Sequence, residues 1–290
     1  MKAMILAAGL GTRLRPLTDH IPKALVELNG RTLLEITIER LKSFGVTEII
    51  VNVHHHAEKV AAFLKSKNNF AIRIELSHED TLLLDTGGGL KKAARFFQQG
   101  NPDEPFLLHN VDVLTTIDFR QMLAAHKKTS ALATLAVQQR PSSRQLLFDQ
   151  NNLLAGRRIN NVDTLISPSS RKRVTPETCH PDSAAADSGS AFSGEGTALA
   201  VPKNAESKGA LAPEVPLHAL AFSGIHLISP RLLNLITESG PFSIIDTYLR
   251  LAASNEKISA FRADSFYWRD LGRPEDLRQA TLDLRQKGLA

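Results

Sequence analysis

The sequence predicts an α/β fold on a mostly parallel sheet, from three observations. Short apolar runs without alternation mark strands covered on both faces. Amphipathic stretches at helical spacing lie between them. The two kinds of segment then take turns through the first half of the chain. Ala3 to Ala7 is the first such strand, running into a glycine-bearing loop. Thr32-Leu33-Leu34-Glu35 is a capping box, and Leu34, Ile38 and Leu41 recur at helical spacing until Gly45 stops the helix. Ile49 to Val53 is a second buried strand, Val60 and Leu64 mark a helix, and Ile72 to Leu76 is a third strand. Leu90 to Phe97 is expected as a helix, Phe106 to Leu108 as a strand stub, Phe119 to Lys127 as a helix and Ala131 to Val137 as extended chain. Helices are expected on both faces, with ligands at the carboxyl ends of the strands.

The second half reads differently. Leu146 to Phe148, Leu153-Leu154 and Ala219 to Ile228 suit a mixed or antiparallel addition. Residues 167–216 contain 27 Ala, Ser, Gly or Pro among 50, with Phe192 the only aromatic, too little apolar surface to offset ordering entropy. The expectation is one domain over 1–290 carrying a disordered, low-complexity insertion at 167–216 between two strands.

Composition narrows the function classes. The 290 residues are 42% hydrophobic and 22% charged, near the globular average. A single cysteine, Cys179, excludes a disulfide framework and a paired-thiolate zinc site. Met4 to Ala8 is too short for a signal-peptide core, and no apolar run reaches the length of a spanning helix. A soluble, cytoplasmic chain without membrane insertion is expected. The net charge of +5 suits anionic ligands, while the basic runs with interleaved aromatics of a nucleic-acid binder are missing.

Four segments carry candidate chemistry. The first, Ala7 to Pro16, puts Gly9 and Gly11 directly after a strand, where backbone N–H groups approach a phosphate or base. It is no dinucleotide fingerprint, since Leu14 stands where glycine is needed, and no Walker loop. Arg13, Arg15 and Lys23 are the cations within reach of phosphates, although a tight turn with solvated basic residues would look alike in isolation. The second, Leu84 to Gly89, holds three glycines at the start of a helix. The third, His109-Asn110-Val111-Asp112, ends a strand with a carboxylate suited to a metal or to a turn. The fourth is Trp268-Arg269-Asp270-Leu271-Gly272, before a helix opened by Arg273-Pro274-Glu275-Asp276. His54-His55-His56 point to opposite sides of an extended chain, so a strand-to-helix loop is expected there rather than a metal site.

Gly9 to Thr18 followed by Pro22-Lys23-Ala24-Leu25-Val26 closely resembles the sugar-1-phosphate nucleotidylyltransferases, or NDP-sugar pyrophosphorylases. The resemblance extends over residues 1–130 and 217–280. Thr86 to Gly89 looks like the branch holding N-acetylmuramate-1-phosphate uridylyltransferase and some mannose-1-phosphate guanylyltransferases. It implies a Rossmann-like, glycosyltransferase-A-type fold, and a Mg2+-dependent reaction of a nucleoside triphosphate with a sugar 1-phosphate to give NDP-sugar and pyrophosphate. UTP or GTP is favoured, and cell-envelope polysaccharide is the implied setting.

By the same resemblance, Arg13 and Lys23 are catalytic and neutralise phosphate charge. Leu6, Ala7, Ala8, Gly9, Gly11, Thr12, Gly87 and Gly88 bind the nucleotide, Asn110, Gly224 and Asp246 the sugar, and Asp112 and Asp270 the Mg2+. Two departures stand out. Val111 occupies the place of a smaller residue before the aspartate, and the family's Glu-Lys-Pro lysine, which grips the sugar phosphate, has no counterpart before the insertion. Arg157 and Arg158 are the nearest cations in sequence. A catalytically silent nucleotide-sugar-binding regulator and a cytidylyltransferase acting on a non-sugar phosphate are the alternatives. The oligomeric state is open.

Overall fold

A computed structural model of the protein describes residues 1–166 and 216–287. Its strands are β1 (Lys2–Leu6), β2 (Glu27–Leu28), β3 (Arg31–Thr32), β4 (Glu48–Val53), β5 (Arg73–His78), β6 (Phe106–Asn110), β7 (Val113–Thr115), β8 (Ala133–Gln138), β9 (Arg144–Phe148), β10 (Leu154–Ile159), β11 (Val162–Leu165), β12 (His218–Ile228), β13 (Ile258–Arg262) and β14 (Trp268–Asp270). The helices are α1 (Leu33–Ser43), α2 (Ala57–Ser66), α3 (Asp85–Lys92), α4 (Ala94–Gln98), α5 (Phe119–Thr129), α6 (Ile244–Ala253) and α7 (Pro274–Lys287). Among the described residues, no helix is long and apolar enough to cross a membrane.

The main sheet runs β11-β10-β9-β12-β6-β1-β4-β5, with β8 paired to β12 and β13 to β8. β6, β1, β4 and β5 are mutually parallel, as the apolar runs predict. β12 runs antiparallel to β6, β8 and β9, and β9-β10-β11 is an antiparallel meander. Side chains of β1 alternate between two cores. Ala3 and Ile5 pack with α1, α2, α5 and α7, whereas Met4 packs with α3, α4 and α6. The central sheet is therefore covered on both faces.

Local signals set the element ends where they are strong. The Thr32 hydroxyl accepts from the Glu35 N–H at 3.1 Å and opens α1, and Gly45 at φ +83° follows its end. The helix expected over Leu90 to Phe97 instead begins at Asp85, takes in the three glycines and breaks at Ala93 into α3 and α4. Close packing rather than helix propensity decides this. A Cβ on Gly87 would lie 2.2 Å from the Phe242 ring, and one on Gly88 2.7 Å from the Gly240 carbonyl. The strand stub at Phe106 runs on through Asn110, and the β7–β14 ribbon and the parallel β8–β13 pair carry no sequence signal strong enough to expect them. The insertion expected at 167–216 and Cys179 lie outside the described residues, save Pro216. On either side of the gap stand β11 and β12.

Candidate active site

The carboxyl ends of β1, β4 and β6 open into a cavity of about 320 Å³, lined by Leu6 to Gly9, Lys23, Asn52, Glu79, Leu83, Asp85, Thr86 and Asn110 to Asp112. Parallel strands place it there, because the connections between them leave the carboxyl edge free. Gly11, at φ +65°, starts the tight turn over Thr12–Leu14, and its carbonyl accepts from the Thr18 hydroxyl at 2.8 Å. A Cβ at Gly11 would lie 3.0 Å from Thr18 and 3.2 Å from Lys23, so the turn closes directly onto the lysine.

Lys23 and Asp112 form an ion pair, their side chains only 12% and 14% exposed. Asp270 reaches the same place from the far end of the chain. In the β7–β14 ribbon it stands opposite Val113, and the Leu271 N–H donates to the Asp112 carbonyl at 2.7 Å. Asp270 Oδ1 accepts from the Gly272 N–H at 2.6 Å, leaving Oδ2 without a hydrogen bond among the described residues. A Cβ on Gly272 would meet both Arg13 Nη2 and Asp270 Oδ1 at 2.6 Å, so Arg13 and Asp270 flank that glycine. Asp112 and Asp270 thus present carboxylate oxygens from neighbouring backbone positions. This donor set fits a small oxygen-seeking dication and not a thiolate- or imidazole-bound metal. Among the described residues, no group of three or more His, Cys, Asp or Glu side chains suits a metal ion.

Other candidates sit apart. Gly87 and Gly88 do not line the cavity. They face Phe242 and Gly240, while Asp85 and Thr86 of the same turn reach the cavity instead. Gly224, at φ +73°, backs Asn110, whose Nδ2 would be 2.8 Å from a Cβ there. Asp246 lies outside the cavity lining and is bound by Arg157 at 2.7 Å. Arg158 pairs with Asp163 at 2.5 and 2.8 Å. Val111 is 3% exposed and divides its surface between the core and the cavity. His54 bonds the Glu79 carbonyl and His56 precedes α2 with φ +57°, in the strand-to-helix loop expected there.

Two buried polar residues went unnoticed in the sequence. Asn52 Oδ1 accepts from the Ala7 N–H at 2.7 Å, and its Nδ2 donates to Glu79 Oε1 at 2.7 Å. Glu79 Oε2 accepts from the Leu84 N–H at 2.8 Å. This chain ties the first loop to the turn before α3. Its only sequence signal is an asparagine inside an apolar strand.

Beneath the cavity, His109 is buried between sheet and helices. Desolvation, with the Arg40 charge assisting, lowers its pKa to about 4. Desolvation also takes His226, hydrogen-bonded to the Tyr248 hydroxyl at 2.8 Å, to about 3. Both are neutral supports at pH 7 and not proton carriers.

The nucleotidyl transferase family model matches residues 2–146. Mannose-1-phosphate guanyltransferase of Aspergillus fumigatus is 34% identical over 190 residues, covering 60% of this chain and 51% of the relative. N-acetylmuramate alpha-1-phosphate uridylyltransferase of Caulobacter vibrioides is 44% identical over 112 residues, 38% of this chain and 45% of the relative. This chain spans about half the length of these curated relatives. The inositol-1-phosphate CTP transferase of T. maritima shares the fold at a TM-score of 0.65 and 14% identity, covering 99% of this chain and 95% of its own. The chain belongs to the nucleotidyl transferase family.

Proposed function

We propose that this protein is a Mg2+-dependent nucleotidylyltransferase joining UTP or GTP to a sugar 1-phosphate, with NDP-sugar and pyrophosphate as products. One observation carries the reading. Asp112 on the cavity wall and Asp270, which lies outside that lining, come from distant parts of the chain to neighbouring backbone positions, with Lys23 on the first and Arg13 beside the second. Relatives whose names specify guanylyl and uridylyl transfer support it.

In this mechanism an oxygen of the sugar phosphate attacks the α-phosphorus in line, and the bond from that phosphorus to the pyrophosphate oxygen breaks. The nucleophile is already an anion, so no general base is required. Catalysis then consists of positioning and charge neutralisation. The backbone from Leu6 to Gly9, fixed through Asn52, holds the nucleotide. Arg13 and Lys23 stabilise charge collecting on the pyrophosphate. Asp112 and Asp270 would hold the Mg2+, which when bound supplies positive charge to the phosphates. Asn110 and the Gly224 segment form the acceptor side. The cytoplasm is the compartment this reaction implies, and nucleotide-sugar supply for cell-envelope polysaccharide its setting.

The test is pyrophosphate release with Mg2+, crossing five nucleoside triphosphates with α-mannose, α-glucose and N-acetylmuramic acid 1-phosphates. Asp112→Ala serves as the blank. Release with one or two pairs, lost in the variant, is expected. Silence throughout, with nucleotide binding intact, would replace this reading by a binding protein or a non-sugar acceptor.

A further inference from the structure

We propose that the Arg140 guanidinium contacts the phosphate of the sugar 1-phosphate; the inference rests on the nucleotidylyltransferase reading above. The two cations nearest in sequence are already engaged, Arg157 with Asp246 and Arg158 with Asp163. Arg140 follows β8 at the end that faces the acceptor side. Its guanidinium carbon lies 3.7 Å from the centroid of the Trp268 ring. Trp268 and Asp270 are two residues apart on β14 and so share one face, which puts the stacked guanidinium on the side of the Asp270 carboxylate.

The Arg140 guanidinium has donors to spare. Among the described residues, its hydrogen bond is one from Nη2 to the Phe222 carbonyl at 2.7 Å. Nε is buried without a partner. Burial pulls the Arg140 pKa down, and the Asp270 charge opposes that pull. A half-buried guanidinium keeps its charge and spare donors, from which a phosphate can accept charged hydrogen bonds.

Arg140 lies outside the cavity lining, but the segment it holds runs on to the cavity wall. Phe222 lies where the register of β12 shifts, between Phe222 and His226. Arg140 holds the Phe222 carbonyl and Trp268 Nε1 holds the Ser223 carbonyl at 2.7 Å. Gly224, next in line, backs Asn110 on the cavity wall. A planar fork in this position can grip two phosphate oxygens, which a lysine does only as a point charge.

The test compares wild type with Arg140→Gln, Arg140→Lys and Arg158→Gln, using the triphosphate and sugar 1-phosphate that wild type turns over in the grid above. In Arg140→Gln, the KM for the sugar 1-phosphate should rise on the order of 10- to 100-fold, as for loss of a charged hydrogen bond. The KM for the triphosphate should stay within about twofold. Arg140→Lys should recover part of the loss, and Arg158→Gln should match wild type. An unchanged sugar-phosphate KM in Arg140→Gln, or an equal rise in both KM values with a lowered melting temperature, would overturn the inference and leave Arg140 a support for the β12 bulge. A wild type silent across the grid would overturn the reaction itself, and this inference with it.

Discussion

The two halves of the sheet are built by different rules. β6, β1, β4 and β5 run parallel, the first three buried on both faces and β5 a half-exposed edge, and the loops leaving their carboxyl ends form most of the cavity wall. Beyond β12 the meander β9-β10-β11 runs antiparallel, and Val162 and Leu165 on β11 stand 67% and 58% exposed. The family match stops at residue 146, just as this second region begins. Most of the cavity wall thus comes from consecutive loops of one half, whereas Asp270 comes from the other. In the proposed reaction the triphosphate meets the first half, and the acceptor lies between Asn110 of the first and the Gly224 segment of the second.

That division can be broken directly. Asp112→Ala, in the first region, and Asp270→Ala, in the second, should each lower kcat for pyrophosphate release by roughly 10²- to 10³-fold, as for removal of an electrostatic stabiliser. Near-normal turnover of Asp270→Ala beside a dead Asp112→Ala would show that the second region supplies no catalytic group.

The seam between the regions rests on neutral histidines. His109 on β6 and His226 on β12 have folded pKa values of about 4 and about 3, below the ordinary 6.5. The unfolded chain therefore takes up protons first. Stability is complete above about pH 6.5 and falls as the pH drops towards 4, by roughly 3 kcal/mol for His109 alone. Glu238 and Asp283, held at about 2 by hydrogen bonds, weaken only below the ordinary carboxylate range. Denaturant midpoints between pH 7 and 4.5 measure the histidine effect, and a flat profile would refute it.

Smaller effects sharpen the same contrast. Gly87→Ala drives a methyl group into the Phe242 ring and should cost about 1–3 kcal/mol, seen as a lower melting temperature with little change in the triphosphate KM. A selective rise in that KM would return Gly87 to the nucleotide site. Arg158→Gln, on the exposed β10–β11 hairpin, should leave the melting temperature unchanged, since such ion pairs are screened by solvent.

Much of the parallel half was legible because its signals are short-range. Thr32 caps α1 across three residues, β1 and β4 are mostly apolar runs, and Gly9, Gly11, Arg13 and Lys23 fall within one stretch of chain. That the three glycines lie inside α3, and not just ahead of a helix over Leu90 to Phe97, was not legible. Glycine is a poor helix former, and only Phe242 and Gly240, far along the chain, make its smallness necessary at Gly87 and Gly88. Asn52 and Glu79 were missed for a related reason. Their value lies in bonding each other and the N–H groups of Ala7 and Leu84, which no spacing reveals.

The sequence by itself determined the class of fold and the strand-ending loops, because strand burial, helix capping and glycine turns depend on neighbours along the chain. Tertiary structure alone decided which distant groups meet. The β7–β14 register brings Asp270 to Asp112, and stacking on Trp268 turns Arg140 towards the same site while Arg157 and Arg158 are drawn away to Asp246 and Asp163. Contacts of that kind rest on strand pairing across long loops, where partner choice is set by the packed whole and not by any local run of residues.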